Sequence, residues 1–152
     1  MKEPMKLNEQ LTVGAQPSEA QLQDLKAQGF QSVVNLRTEG EEEQPLSPQQ
    51  EGEKAGALGL KYLHIPVSSE QMQPEQVDEF RRKLGDLPAP VYVHCKSGMR
   101  AGAFSMMHLA VEGGRTGEET IEQAMQMGFE CDKPGMKEFV KGYIDSHQKA
   151  SS

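Results

Sequence analysis

The chain has 152 residues with two cysteines and no tryptophan, and its formal net charge is −7. That length suits one domain with a single substantial core, two thiols do not make a disulfide scaffold, and the acidic balance excludes broad binding to nucleic acid or an anionic membrane, both of which need a basic surface. The opening residues Met1-Lys2-Glu3-Pro4-Met5-Lys6 hold no apolar signal core and no stretch could span a bilayer, so a cytoplasmic protein with reduced thiols is expected.

Strand-like and helix-like segments alternate along the chain, the mark of an α/β domain with a mainly parallel central sheet flanked by helices. Residues 10–13 read as a short strand. Ser18 with Gln21 forms a capping box that opens a helix with Leu22 and Leu25 inward and Gly29 as its stop. Residues 30–36 are the next strand, and residues 39–43 an acidic, solvated turn. Ser47 caps a further helix with Pro48 in its first turn; Gly52, Gly56 and Gly59 predict that it is weak or irregular. Residues 62–67 form a third strand, and residues 74–84 an amphipathic helix with Val77, Phe80 and Leu84 on one face. Residues 91–94 are the central strand. The helix behind it runs to Val111, burying Ala103, Met106, Met107, Ala110 and Val111, and ends at Gly113-Gly114. Thr116 with Glu119 caps a helix that buries Ile121, Ala124 and Met125. The last helix, over residues 134–144, packs Phe139, Val140, Tyr143 and Ile144, and the tail from about residue 146 is frayed. Residues 1–152 thus read as a single domain without internal repeats. With apolar content modest, the nine methionines serve as core filler.

The run Val91-Tyr92-Val93-His94-Cys95-Lys96-Ser97-Gly98-Met99-Arg100 carries the chemistry. An apolar, β-branched and aromatic stretch delivers a cysteine into a short polar loop, and a helix follows at once. A thiol is thereby aimed at a helix N-terminus, where unpaired N–H groups and the helix dipole favour negative charge. In such settings a free thiol pKa of about 8.5 falls to roughly 3.5–7.5. Backbone N–H groups from Lys96 to Arg100 can form a nest for an anion, and Arg100 adds a two-pronged clamp for a tetrahedral oxyanion. Gly98 permits close anion approach, and Ser97 offers a hydroxyl. The plainer reading of a lone cysteine after a strand is a small buried apolar residue. Gly98, Arg100 and the immediate helix start weigh against it and favour group transfer through a covalent cysteine intermediate.

His94-Cys95-Lys96-Ser97-Gly98-Met99-Arg100 resembles the HC-x-x-G-x-x-R signature of cysteine-dependent protein phosphatases, shortened by one residue. Leu11-Thr12-Val13-Gly14-Ala15-Gln16-Pro17-Ser18, Val33-Val34-Asn35-Leu36-Arg37 and His64-Ile65-Pro66-Val67 resemble the bacterial β-lactamase hydrolase-like phosphatase family, also called DUF442, over nearly the whole chain. The resemblance implies a dual-specificity-phosphatase-like fold. It implies Cys95 as nucleophile, Arg100 as anion clamp, Lys96, Ser97, Gly98 and Met99 as cradle, and His94 as support for the loop and the thiol.

Three departures from that pattern matter. Four residues separate Cys95 from Arg100, whereas the usual phosphatase loop has five; the shorter spacing resembles rhodanese-type sulfurtransferases, whose cysteine carries a persulfide. No aspartate follows the third strand to protonate the leaving group, and Glu70 is the nearest carboxylate; a missing general acid forfeits about 10²–10⁴ in rate. Ala101 stands where phosphatases carry Ser or Thr after the arginine. Phosphatase-type hydrolysis is the first reading. A sulfurtransferase with a persulfide on Cys95 and a non-catalytic oxyanion-binding module stay open beside it. The implied partner is a small anionic substrate, a phosphorylated or persulfidated molecule; no cofactor is implied, and oligomeric state is not legible.

Ligands of open α/β sheets sit at the carboxyl ends of strands, so Arg37 is a candidate to help hold an anion, with a solvated loop arginine as the equal alternative. His64 and His108 do not pair with cysteines or carboxylates at metal-ligand spacing, and no metal is expected. Cys131 reads as a structural thiol rather than as a resolving partner of Cys95.

Overall fold

The computed structural model describes residues 4–38, 46–68, 72–96, 99–126 and 135–147. In chain order these contain β1 (Met5–Lys6), β2 (Leu11–Ala15), α1 (Glu19–Ala27), β3 (Ser32–Asn35), α2 (Pro48–Ala57), β4 (Lys61–His64), α3 (Pro74–Leu84), β5 (Val91–Cys95), α4 (Met99–Gly113), α5 (Gly117–Gln126) and α6 (Met136–Ser146). The five strands form one sheet in the order β1-β2-β5-β3-β4. Only the β1–β2 pairing is antiparallel. The mainly parallel α/β sheet read from the sequence is the observed architecture. β1 was not anticipated: two residues are too short to display a period of two.

Helices cover both faces. Leu11, Val13, Val34, Val91, Val93 and Cys95 point into a large apolar core shared with α3, α4, α5 and α6. Val33 and Tyr92 point the other way, into a small cluster with Leu22 and Leu25 of α1 and Ala55 of α2. The two sets alternate along each strand, as the pleat requires. α4 is buried nearly all round, well beyond the stripe expected from the sequence, because it lies between the sheet and its neighbouring helices.

The capping chemistry is as read. Ser18 and Gln21 cap α1 reciprocally, Ser47 and Gln50 do the same for α2, and Thr116 and Glu119 exchange bonds of 2.9 and 3.1 Å before α5. Gly29 takes φ 100° directly after α1, where a side chain would be strained.

Three expectations are corrected. α2 is a regular ten-residue helix rather than a weak one. Its capping box and first-turn proline offset the glycine cost, and Gly52 lets the helix lie against the Tyr62 ring, where an added Cβ would come within 3.0 Å of the ring. The third strand ends at His64, although Ile65 and Val67 still donate backbone bonds of 3.0 Å to the chain beside them. Met125 is 65% exposed, not buried: it falls off the stripe formed by Gly117, Thr120, Ile121 and Ala124. The acidic turn at 39–43, Cys131 and the tail beyond residue 147 lie outside the described residues. Among the described residues no helix is long and apolar enough to cross a membrane.

Candidate functional site

The parallel register aligns the carboxyl ends of the strands. Ala15 and Cys95 are partners across β2 and β5, and Asn35 and His94 across β3 and β5. Gln16, Arg37 and Cys95 therefore leave the same edge of the sheet. Cys95 is the last residue of β5, its thiol buried and 1% exposed. α4 begins four residues later, and the N–H of Ala101 in its first turn points at Cys95 Sγ over 3.4 Å. This N–H has no carbonyl partner within the helix, so it is available to negative charge on sulfur. Arg100 precedes it, 8% exposed, and its Nη1 donates to the Val67 carbonyl over 2.6 Å. That bond fixes the guanidinium against the segment that follows β4.

His94 lies on the opposite face of β5 from Cys95, wholly buried, with Nε2 2.5 Å from Glu51 Oε2 of α2. Glu51 is also fully buried. Its Oε1 accepts from Gln16 Nε2 at 3.1 Å, and the same amide group donates to the Leu46 carbonyl at 2.9 Å. Gln16 Oε1 accepts from Arg37 Nη1. The orientation of Gln16 is forced, since a guanidinium only donates and a carbonyl only accepts. A continuous polar chain thus links Arg37, Gln16, Glu51 and His94. His94 Nδ1 lies 3.5 Å from the Cys95 carbonyl.

Two phenols border this chain. Tyr62 Oη accepts from Asn35 Nδ2 at 2.9 Å, and Tyr92 Oη donates to the Ala15 carbonyl at 2.7 Å. Burial pushes both pKa values up, most of all, and the Glu51 carboxylate adds to it, as does Cys95 for Tyr92; the Asn35 bond works the other way on Tyr62. Both hydroxyls stay protonated, so neither adds charge to the site. Asn35 Oδ1 accepts the Arg37 N–H at 2.8 Å, and His64 Nε2 meets the Arg37 carbonyl at 2.6 Å, so that ring nitrogen carries the proton. The chain leaving β3 is held at both ends of Arg37.

Of the residues expected from sequence, Cys95, Arg100, Arg37 and His94 are placed as above. Arg37 is 1% exposed, not a solvated loop arginine. Lys96 is exposed and Met99 partly buried against the large core. Ser97, Gly98 and Glu70 lie outside the described residues. Sequence reasoning missed Glu51 and Gln16. Glu51 did leave a signal: it shares the buried stripe of α2 with Pro48 and Ala55, where a carboxylate needs a partner. Among the described residues no three His, Cys, Asp or Glu side chains gather to hold a metal ion.

The comparisons agree with this architecture. A protein of Agrobacterium fabrum called beta-lactamase hydrolase-like protein is 38% identical over 109 residues, 72% of this chain and 25% of that protein. The chain thus spans about a quarter of that relative's length. A DUF442 protein of Shewanella putrefaciens superimposes with a TM-score of 0.78 at 23% identity, covering 92% of this chain and 89% of its own. TpbA of P. aeruginosa, solved in complex with phosphotyrosine, gives a TM-score of 0.72 at 19% identity, over 93% of this chain and 87% of that one. At those identities the structures testify to the shared fold alone. Residues 5–112 match the family described as beta-lactamase hydrolase-like protein, phosphatase-like domain, and the chain belongs to that family.

Proposed function

We propose that this domain is a cysteine-dependent phosphatase in which Cys95 is the nucleophile and Arg100 with the 96–99 loop binds the phosphoryl oxygens. One observation carries the reading: the thiol ends the central strand with the Ala101 N–H of α4 aimed at its sulfur over 3.4 Å. The thiolate is the form of a cysteine that attacks, and this N–H is placed to donate to the sulfur. The family supports a phosphatase-like domain in general.

In the first step the Cys95 thiolate attacks phosphorus, the S–P bond forms and the P–O bond to the leaving group breaks. The loop N–H groups and Arg100 hold the three equatorial oxygens as their charge changes. The departing oxygen takes a proton from a carboxylic acid, for which Glu70 is the candidate, or from water. In the second step water attacks phosphorus, the S–P bond breaks, and inorganic phosphate leaves the regenerated thiolate.

Phosphate release from p-nitrophenyl phosphate tests this, run beside intact-protein mass spectrometry after incubation with thiosulfate. Release by the wild type that vanishes in Cys95→Ser, with no sulfur added to the protein, is the expected result. One sulfur atom gained on Cys95 and transferable to cyanide, without phosphate release, overturns it in favour of sulfur transfer. Phosphate binding that survives Cys95→Ser, with neither activity in the wild type, leaves a binding module.

A further inference from the structure

The segment between β4 and α3 is tied at both ends by one side chain. Gln76 stands at the third position of α3, from which a side-chain oxygen reaches back to the N–H that precedes the helix. Its Oε1 accepts from the Gln73 N–H at 2.8 Å, and its Nε2 donates to the Pro66 carbonyl at 3.1 Å. The orientation is forced, because the Gln73 N–H only donates and the Pro66 carbonyl only accepts. A glutamate would cap α3 equally and would suit the positive end of the helix dipole better. What glutamine adds is the bond to Pro66.

That bond bears on Arg100 through one peptide plane. The Pro66 carbonyl and the Val67 N–H belong to the same planar unit and point in opposite directions. Gln76 holds the carbonyl end, and the N–H end donates to the Leu36 carbonyl at 3.0 Å. A plane held at both ends resists turning about the chain, so the next carbonyl, that of Val67, keeps its heading. This carbonyl is the one that accepts from Arg100 Nη1 at 2.6 Å. We propose that Gln76 is a positioning residue for the anion clamp: through the Pro66–Val67 peptide it sets the placement of the Arg100 guanidinium. The consequence for turnover rests on the phosphatase reading; the placement of Arg100 does not. Arg100 must meet the phosphoryl oxygens in the geometry of the transition state, so its misplacement is read in kcat before it is read in KM.

Two variants separate this role from helix capping. Gln76→Glu keeps the acceptor for Gln73 and puts an oxygen where the donor to Pro66 was; Gln76→Met removes both bonds. Each should lower kcat for p-nitrophenyl phosphate roughly 5- to 20-fold with KM changed less than about twofold. Inhibition by orthovanadate, which copies five-coordinate phosphorus, should weaken by a like factor. The urea midpoint should fall in Gln76→Met alone, and because Gln76→Glu retains the cap, the test stands even if Gln76→Met does not fold. Wild-type kcat in Gln76→Glu would reduce Gln76 to a helix cap and overturn the proposal. A loss confined to KM and abolished by added salt would mean that the new carboxylate repels the substrate, and overturns it as well. Arginine side-chain NMR reads the placement without turnover, with the Arg100 signals identified by their loss in Arg100→Lys. The Nη signals of Arg100 should shift in Gln76→Glu, and rotation of the guanidinium should quicken. Superimposable signals overturn the proposal whether or not phosphate is released. A shifted Arg100 in a protein that releases no phosphate removes the proposed function and leaves Gln76 in its positioning role.

Discussion

The face of the sheet covered by α3, α4, α5 and α6 packs mainly apolar side chains, with Ser105 of α4 and Thr120 of α5 buried among them. The face under α1 and α2 packs a small aliphatic cluster around a buried carboxylate, an imidazole and two phenols. β5 alternates between them, so Cys95 belongs to the first and its neighbour His94 to the second. Adjacent residues of one strand are therefore supported by different physics. The thick face supplies rigidity: Phe80 and Phe104 meet edge to face at 5.8 Å between ring centres, and α4 has little room to shift. The thin face supplies buried side-chain hydrogen bonds. Damage to the thick face should cost stability with no chemical signature, and damage to the thin face should alter chemistry out of proportion to stability.

The largest effect tests the meeting point of the two. Cys95→Ser keeps size and packing, so the fold should persist while phosphate release falls by at least about 10³-fold. A matching loss of thermal stability would show that the thiol is a packing residue. Next comes truncation on each face. Phe104→Ala removes a wholly buried ring from the thick core and should cost about 3–5 kcal/mol in urea unfolding. Leu22→Ala, equally buried but in the smaller cluster, should cost about 2–3 kcal/mol. Equal costs would erase the distinction between the faces. Gly14→Ala comes after these. Its Cβ would stand 2.4 Å from Tyr92 Oη and 3.3 Å from Pro4 Cα. Tyr92 is pinned by its bond to the Ala15 carbonyl and cannot swing aside freely. Overpacking of this kind costs about 1–3 kcal/mol. The strained residue is the register partner of His94, so a fall in kcat should accompany it; unaltered kcat would show that strain on the thin face does not reach the loop.

How much of this was legible follows from where each signal lives. The strand–helix alternation, the capping pairs Ser18–Gln21, Ser47–Gln50 and Thr116–Glu119, and the buried faces of α1 and α3 are local patterns, and the chain declares them directly. The cysteine, the arginine and the helix start sit within six residues, so their adjacency needed no tertiary knowledge. Glu51 is 43 positions from His94, and Gln16 is 35 from Glu51; nothing local joins them until β2 and β5 pair and α2 docks. The same holds for Gly52, whose three-glycine neighbourhood looks helix-weakening until the Tyr62 ring is placed against it. Arg37 was readable as lying at a strand end but not as buried, because burial depends on what covers the end.

The smallest effect probes whether the thick face is as free of charge effects as the comparison claims. His108 sits on α4 with its ring edge to face with Phe80, 6.4 Å between centres, and its Nδ1 is buried with no hydrogen-bond partner among the described residues. Burial, the main cause, lowers its pKa from 6.5; Glu112 pulls the other way, and the nearby Arg81 cation adds a smaller push downward. The unfolded chain therefore binds this proton more readily than the folded one. The neutral ring costs nothing at pH 7.5, and stability should begin to fall as the pH drops through about 6.5 toward the lower folded value. Urea midpoints at pH 7.5 and 5.5 check it: the wild type should lose more than His108→Leu over that interval, with the remaining loss common to both. Parallel losses would mean that the folded protein accepts the proton as readily as the unfolded chain. The thick face would then tolerate charge after all, and its contrast with the Glu51–His94 side would rest on geometry alone.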